Sequence, residues 1–168
     1  MSDFTHLDDE GRIRMVDISE KAATFRWAKA KAGLRLSEEL FAKLKDKYLE
    51  KGDALAAARI AGIQAAKRTS ELIPLCHPIS ITHAEVSITL DPPNRIHIRT
   101  EVRTQASTGV EMEALTAAMA AALTIYDMGK AVDRGIVIEE VKLIEKGGGR
   151  SGTWRRPEDD SKGDPGLR

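Results

Sequence analysis

The chain has 168 residues, with 26 Lys and Arg against 26 Asp and Glu, so its formal net charge at pH 7 is zero. This length suits one domain with a hydrophobic core, and a neutral chain has no overall field that would draw it to nucleic acid or to an anionic membrane. Its single cysteine, Cys76, excludes an intrachain disulfide and a multi-cysteine metal site and suits a reducing cytosol. Because the first ten residues are polar and no apolar run is long, we expect a cytoplasmic protein with neither a signal peptide nor a membrane span.

The first predicted elements are two strands and a helix. Residues 15–18 are typical of a short strand, and residues 23–36, in which small and apolar residues alternate loosely with cations, indicate a longer one. Ser37 is predicted to cap a helix, because its hydroxyl can accept a hydrogen bond from a first-turn amide. Apolar residues then recur at helical spacing, at Leu40, Leu44 and Tyr48. Gly52 is expected to end this helix.

A second helix and a β-hairpin follow. Asp53 is predicted to cap an alanine-rich helix over residues 54–68, whose small side chains allow close packing against other elements. Apolar and polar residues alternate over 84–90 and again over 96–103, with the turn sequence Asp-Pro-Pro-Asn at 91–94 between them. This pattern predicts an antiparallel hairpin with one buried face and one polar face.

The last predicted elements are a third helix over about residues 110–133 and a strand over 135–144. From Gly147 onward the chain is rich in glycine and charge and shows no periodicity. We therefore expect one domain over residues 1–152 and a flexible C-terminal tail over 153–168.

The order of these elements predicts the fold class. From Ala23 onward it is β-α-β-β-α-β, with the first helix in two pieces, which is the split order of an α+β, ferredoxin-like fold. Such a fold has a four-stranded antiparallel sheet with helices on one face. Alanine-rich helices leave this sandwich a thin core, so we expect the helices or the other face of the sheet to pack against further copies of the chain.

The sequence around His77 is the strongest local indication of a reaction site. His77 stands between Pro74 and Pro78, shortly after the cations Lys67 and Arg68. Each proline fixes its own φ and restricts the residue before it, so the histidine is held in a stiff, extended segment, as suits a titratable group in a site. A buried histidine that only hydrogen-bonds to a carbonyl is the simpler explanation of such a residue when it is taken alone.

Titratable side chains also stand at both ends of the third predicted helix. Asp127 and Lys130 are three apart and share a face; an exposed ion pair worth about 0.5 kcal/mol would explain them. The apolar or small residues of 117–128 favour a pocket instead, where the two pKa values would be perturbed. Glu111 and Glu113 are two apart and do not share a face, so Glu111 is expected at the loop edge or in another subunit's pocket. The helix dipole alone would also explain both glutamates.

A neutral chain must hold an anionic ligand such as a polyphosphate with a local group of cations. The candidate cations are Lys51, Lys67, Arg68, Lys130 and Lys146. The glycine-rich segment 146–152 could add backbone N–H groups, although such runs are more often linkers. The sequence has no Walker loop, dinucleotide fingerprint or zinc-protease motif. Cys76 and His77 point to opposite sides of an extended segment, and His83 lacks a metal-binding spacing to His77, so we expect no metal and no cofactor.

Together these motifs resemble the MoaC family, the cyclic pyranopterin monophosphate synthases of molybdenum-cofactor biosynthesis. The segments that carry the resemblance are residues 15–17, 51–53, 59–69, 72–78, 108–116 and 122–128. Two positions depart from the family's pattern, since Gly129 stands where a side chain is expected and Arg150 stands where lysine is typical. The resemblance extends to about Gly152.

The resemblance implies a lyase that converts (8S)-3′,8-cyclo-7,8-dihydroguanosine 5′-triphosphate to cyclic pyranopterin monophosphate and releases pyrophosphate. It also implies a homohexamer, built as a trimer of dimers, with the active site at a subunit interface and an upstream radical SAM GTP 3′,8-cyclase as functional partner. The implied catalytic residues are Asp127, Lys130 and Lys51. The implied substrate-binding residues are Leu75, Cys76, His77, Glu111, Met112, Glu113, Lys67, Arg68 and Lys146.

Two other classes of protein share parts of this pattern. RNA-recognition motifs have the same element order, but they stack bases on aromatic side chains of the sheet. The polar face of the predicted hairpin offers only His97 for this purpose. A nucleotide-sensing domain would need the cations but neither Asp127 nor His77, and substrate binding without product formation would identify it.

Overall fold

The structure, a computed structural model, describes residues 10–47, 49–149 and 152–157. Its strands are β1 (Thr24–Arg35), β2 (Ile81–Asp91), β3 (Arg95–Ala106), β4 (Val137–Gly148) and β5 (Trp154–Arg155). Its helices are α1 (Glu38–Lys45), α2 (Ala54–Lys67), α3 (Thr69–Leu72) and α4 (Glu111–Gly129). The strands form one antiparallel sheet in the order β2-β3-β1-β4-β5. The predicted ferredoxin-like α+β fold is confirmed, with β5 as a short addition at the edge.

The core lies between one face of the sheet and the helices α2 and α4. Every second residue of β3 is buried from Ile96 to Thr104, because successive side chains of a strand point to opposite faces. The two helices pack closely through small residues. A Cβ on Gly62 of α2 would lie 2.9 Å from Val86 Cγ2 and 3.0 Å from the carbonyl oxygen of Ala117 on α4. The close packing predicted from the alanine-rich sequence is therefore confirmed.

The two outer surfaces of this sandwich differ in character. The sheet face away from the helices carries ion pairs, such as Lys29 with Glu145 at 3.5 Å and Lys31 with Glu140 at 3.0 Å. The outer surface of α2 and α4 exposes large apolar side chains, namely Ile60 (62%), Met119 (39%) and Leu123 (52%). Exposed apolar side chains of this size are typical of surfaces that contact another chain.

Both predicted helix N-caps are confirmed. Ser37 Oγ accepts a hydrogen bond from the backbone N–H of Leu40. Asp53 Oδ1 accepts hydrogen bonds from the backbone N–H groups of Leu55 and Ala56. These caps satisfy amides that have no partner within their own helix, which fixes where α1 and α2 begin.

The predicted strand at residues 15–18 is wrong. This segment belongs to no ladder, and the pairing nearest to it is an isolated bridge at Ile13. Both edges of β1, the next strand along the chain, are occupied by β3 and β4, so the segment has no free edge beside that strand. It lies instead against the loop that holds His77, which bonds to the Val16 carbonyl.

Two helices end earlier than predicted. Helix α1 ends at Lys45 rather than at Gly52, because Lys47 adopts a positive φ of 60°. Tyr48, expected on the same helix, lies outside the described residues. Helix α4 ends at Gly129 rather than near residue 133, and the chain turns there. No described helix is long and apolar enough to cross a membrane.

Strand β4 continues through Gly148, beyond its predicted end at residue 144, so the glycine run begins inside the sheet. A Cβ on Gly147 would lie 2.5 Å from the Trp27 ring, and one on Gly148, where φ is +94°, would lie 2.0 Å from the Phe25 carbonyl oxygen. Contact with β1 therefore requires these glycines. Beyond them, β5 pairs with β4 at the start of the expected tail. Arg150 and residues 158–168 lie outside the described ranges.

Candidate active site

Lys51, Asp127 and Lys130 form an ion-paired group that we call the aspartate cluster. The Lys51 Nζ lies 3.1 Å from Asp127 Oδ2, and the Lys130 Nζ lies 2.7 Å from Asp127 Oδ1. Lys51 stands in the turn before α2, whereas Asp127 and Lys130 stand at the C-terminal end of α4. The structure therefore adds a second ammonium group to the Asp127–Lys130 pair that helical spacing predicted.

The two lysines favour the charged form of Asp127. Hydrogen bonds from Lys130 and then from Lys51 lower the pKa of the Asp127 carboxyl. The hydrogen bond with Asp127 likewise raises the pKa of Lys130. The Asp127 side chain is 58% exposed and both lysines are at least half exposed. One chain therefore leaves these groups open on its surface and does not enclose them.

A second group, which we call the histidine cluster, lies at the N-terminal end of α4. Its members are Cys76, Glu113, Glu111 and Lys146, each of which interacts with the next, and His77, which follows Cys76 in the chain. Burial raises the pKa of the Cys76 thiol, and the charge of Glu113 raises it further, which shows that the proline-rich loop lies beside the first turn of α4. The Lys146 Nζ of β4 lies 2.6 Å from Glu111 Oε1. Leu75 and Met112 adjoin these residues in the chain, and Met112 is exposed.

The two glutamates of the histidine cluster have different environments, as their spacing predicted. Glu111 opens α4 and pairs with Lys146. Glu113 is 3% exposed. Burial raises the pKa of Glu113 to about 7, while a hydrogen bond from its own backbone N–H lowers the value and the charge of Glu111 raises it. A carboxyl with this pKa is about half protonated at neutral pH.

The ring of His77 is oriented by the segment before β1. Its Nε2 lies 2.7 Å from the carbonyl oxygen of Val16. Since a carbonyl can only accept, Nε2 carries a proton and donates to it. The neighbouring Asp17 is held by Ser19, whose side chain and then backbone N–H lower the pKa of the Asp17 carboxyl. The carbonyl bond that is the simpler explanation of His77 is thus present.

Arg26 is a candidate site residue that the sequence did not reveal. Its Nε lies 3.0 Å from the carbonyl oxygen of Ala106, and its Nη2 lies 3.4 Å from that of Ser107. A Cβ on Gly149 would lie 2.6 Å from its guanidinium group. Arg26 therefore joins the loop before α4 to the end of β4, the two segments that bring Glu111 and Lys146 together. In the sequence it is one of several charged strand residues, and its partners lie 80 positions away.

The structure does not bring the two clusters together within one chain. Met112 and Asp127 are fifteen positions apart on α4, which at about 1.5 Å per residue separates them by about 22 Å. Lys67 and Arg68, at the end of α2, are exposed and lead into the loop that holds His77. They therefore belong to the end of the molecule that carries the histidine cluster. Helices α2 and α4 thus carry one group of functional side chains at each end.

Metal-ligating side chains of the described residues do not gather at either end. Within the described ranges there is no group of three or more His, Cys, Asp or Glu side chains that could hold a metal ion. The cations that pair with carboxylates in the two clusters are the ammonium groups of Lys51, Lys130 and Lys146.

Residues 15–149, which include every residue of both clusters, match the model of the MoaC family. The chain is 53% identical to the cyclic pyranopterin monophosphate synthase of Thermomicrobium roseum over 163 residues, which cover 96% of this chain and 98% of that protein. It is 55% identical to the synthase of Chloroflexus aurantiacus over 157 residues, covering 93% and 96%. It is 52% identical to that of Bacillus thuringiensis subsp. konkukian over 159 residues, covering 93% and 99%. The resemblance inferred from the sequence motifs is confirmed, and the chain belongs to the MoaC family.

Proposed function

We propose that this protein is a cyclic pyranopterin monophosphate synthase, a lyase of molybdenum-cofactor biosynthesis. It converts 3′,8-cyclo-7,8-dihydroguanosine 5′-triphosphate to cyclic pyranopterin monophosphate and releases pyrophosphate. The observation that carries this function is the family match over residues 15–149. Relatives named for this activity are 52–55% identical across nearly their whole length, which supports it.

The aspartate cluster suits the acid–base part of this reaction. The purine-derived ring must be opened and rebuilt as a pterin, which requires groups that accept and donate protons. In our assignment Asp127 is the central catalytic residue and Lys130 and Lys51 are its catalytic partners. The two ammonium groups keep Asp127 charged and oriented, so it can accept a proton from the substrate while a lysine donates one.

The histidine cluster and its neighbours suit binding of the nucleotide. Formation of the cyclic phosphate with pyrophosphate as leaving group requires cations near the phosphates. We assign this role to Lys67, Arg68 and Lys146. We assign contacts with the rest of the substrate to Leu75, Cys76, His77, Glu111, Met112 and Glu113. The neutral net charge of the chain supports a local role for these cations rather than a general attraction to anions.

The proposed active site is formed by two chains. The clusters are about 22 Å apart along α4, too far for one chain to apply both to the same reacting ring, and the aspartate cluster is open to solvent. A two-fold axis across α2 and α4 would bring the aspartate cluster of one chain to the histidine cluster of its partner. The exposed apolar side chains of these helices, Ile60, Met119 and Leu123, support such a contact. We propose a homohexamer made of three such dimers.

The substrate class also sets the place of this enzyme in a reaction sequence. A 3′,8-cyclised nucleotide requires carbon–carbon bond formation at an unactivated ribose carbon, so a radical SAM GTP 3′,8-cyclase is the proposed supplier. The synthase itself needs no cofactor in our proposal, and its single cysteine fits a cytoplasmic location. The family match ends at residue 149, which supports a domain boundary near residue 152.

The decisive experiment mixes the purified protein with the 3′,8-cyclic nucleotide and measures pyrophosphate together with the pterin by mass spectrometry. We expect one pyrophosphate per pterin formed. Asp127→Asn should abolish turnover, whereas Glu139→Gln, which alters an ion pair with Arg35 on the far face of the sheet, should turn over normally. Tight nucleotide binding by the wild-type protein without pyrophosphate would contradict the enzyme and identify a nucleotide sensor.

A further inference from the structure

Lys146 stands where strand β4 runs into a series of glycines. On one side β4 pairs with β1, which places Ala28 opposite Lys146, and on the other side it pairs with β5, which places Trp154 opposite Lys146. The glycines that follow include Gly148 and Gly149, which both have a positive φ. Because glycine restricts the backbone least, these residues do little to hold Lys146 in place. The position of its ammonium group therefore depends on the strands at its two sides.

Strand β5 is short, and side chains fasten it to β4. Both Nε and Nη2 of Arg155 donate to Glu145 Oε1, at 3.1 and 2.8 Å. Arg156 donates from its backbone N–H to the Ile144 carbonyl oxygen at 2.8 Å and from its Nε to the Leu143 carbonyl oxygen at 2.7 Å. A strand of two residues has few backbone bonds of its own. The arginine side chains therefore contribute much of what holds β5 in the sheet.

The Glu145 carboxylate joins three strands. Its side chain is only 12% exposed, whereas that of Arg155 is 74% exposed. From β1, the Lys29 Nζ approaches the other carboxylate oxygen, Oε2, at 3.5 Å. The hydrogen bond from Arg155 is the largest of the causes that lower the pKa of the Glu145 carboxyl. Because this carboxylate is largely shielded from water, the pair should hold more firmly than one between two exposed side chains.

Glu145 and Lys146 are consecutive in β4 and so point to opposite faces of the sheet. Glu145 shares the face that carries the ion pairs, whereas Lys146 points to the helices, where its Nζ lies 2.6 Å from Glu111 Oε1. We propose that Arg155 is a positioning residue for Lys146. By holding β5 to Glu145 on one face, it fixes the end of β4 and with it the ammonium group on the other face.

This inference rests on the proposed function, which assigns Lys146 to the phosphates of the nucleotide. A cation that binds phosphate must be held in place by the residues that support it, since a displacement of about 1 Å weakens its contact with the substrate. Loss of the Arg155 contact should therefore weaken phosphate binding without removing any group that touches the substrate.

The test compares Arg155→Ala with two other variants of the full-length protein. We expect Arg155→Ala to raise KM for the 3′,8-cyclic nucleotide about tenfold and to change kcat less than about threefold, because the phosphates carry their charge both before and during the reaction. Arg155→Lys still places a cation beside Glu145, so its KM should stay within about threefold of the wild-type value. Arg35→Ala breaks a comparable ion pair with Glu139 at the other end of β4 and should leave both constants unchanged.

A double substitution shows whether Arg155 acts through Lys146. Lys146→Ala should raise KM by itself. Adding Arg155→Ala should then change KM less than about twofold, because the group that Arg155 positions is gone. Effects of the two substitutions that multiply, or an unchanged KM in Arg155→Ala alone, would overturn the proposal.

Two measurements without turnover separate this inference from the proposed function. Amide hydrogen exchange, followed by mass spectrometry, should be about tenfold faster over residues 143–148 in Arg155→Ala and unchanged in Arg35→Ala. The affinity for added pyrophosphate, measured by calorimetry, should fall about tenfold in Arg155→Ala only. Both results would support the inference even if the nucleotide were not converted, which would reject the proposed function alone. Unchanged exchange, or faster exchange with unchanged affinity, would overturn the inference even in a fully active enzyme.

Discussion

A mixture of two inactive variants tests whether the active site belongs to one chain or two. Asp127→Asn removes the carboxylate of the aspartate cluster and leaves the histidine cluster intact, whereas His77→Ala alters only the histidine cluster. Each variant alone is expected to lose about a hundredfold or more in kcat, as removal of a proton-transfer group or of a rigid substrate contact does. Neither side chain is buried in the core, so both proteins should fold and assemble.

The expected recovery follows from two-fold symmetry. In a dimer with one chain of each variant, one site joins the two intact clusters and the other joins the two defective ones. Random mixing of equal amounts makes about half of the dimers mixed, so about one quarter of all sites are intact. Pyrophosphate release should therefore recover to about one quarter of the wild-type rate after the two proteins are unfolded and refolded together.

A second mixture provides the control. His77→Ala and Glu113→Ala both alter the histidine cluster, so every site in their mixed dimers keeps a defect and the rate should stay at the level of the separate variants. Native mass spectrometry of mass-labelled chains would verify that mixed assemblies are present. Recovery in neither mixture, with mixed assemblies demonstrated, would refute a site shared between chains.

Three further substitutions have defined outcomes. Lys130→Gln removes the largest cause of the lowered pKa of Asp127, so the acidic limb of the pH–kcat/KM profile should move to higher pH. If the acidic limb does not move, it reports the titration of a group other than Asp127. Gly148→Ala should lower the free energy of unfolding in urea by about 2 kcal/mol or more. The reason is that its Cβ would lie 2.0 Å from the Phe25 carbonyl oxygen at a φ of +94°. Gly11→Ala is the control variant, because a Cβ added at Gly11 has open space around it. Arg26→Lys keeps the positive charge but loses the guanidinium group that hydrogen-bonds to two loop carbonyls. We expect kcat/KM to fall about tenfold with little change in the free energy of unfolding. A loss of stability that matches the loss of activity would assign Arg26 a structural role only.

Local patterns predicted most of the fold because the relevant forces are local. The alternation of residues 96–103 follows from the two faces of a strand, and β3 shows that alternation without interruption. Ser37 and Asp53 cap helices because their side chains reach amides two or three residues away. Residues 15–18 have a strand-like composition too. Whether they pair depends on a free sheet edge, which local sequence does not specify.

Gly129 shows how an apparent departure is explained by packing. From the sequence it costs about 1 kcal/mol of helix propensity relative to alanine. In the structure a Cβ there would lie 2.7 Å from Leu40 Cδ2 and 3.1 Å from Ile136 Cδ1. Since Leu40 is fully buried, added volume would have to be accommodated by the core, at a cost of about 1–3 kcal/mol. The glycine therefore suits the close approach of α1 to the end of α4, and its presence does not by itself argue against activity.

The candidate site was predictable only as far as its residue types and their spacing along one helix. Glu111 and Glu113 were expected to differ because positions two apart do not share a helix face, and they do differ. What sets the difference is Lys146, 35 positions away on β4, together with the burial of Glu113. The separation of the two clusters follows from the same helix, since one α-helix that contains both positions 112 and 127 holds them about 22 Å apart. Chemistry that needs both ends of that helix therefore requires a second chain, and in the proposed two-chain site assembly is a condition of activity.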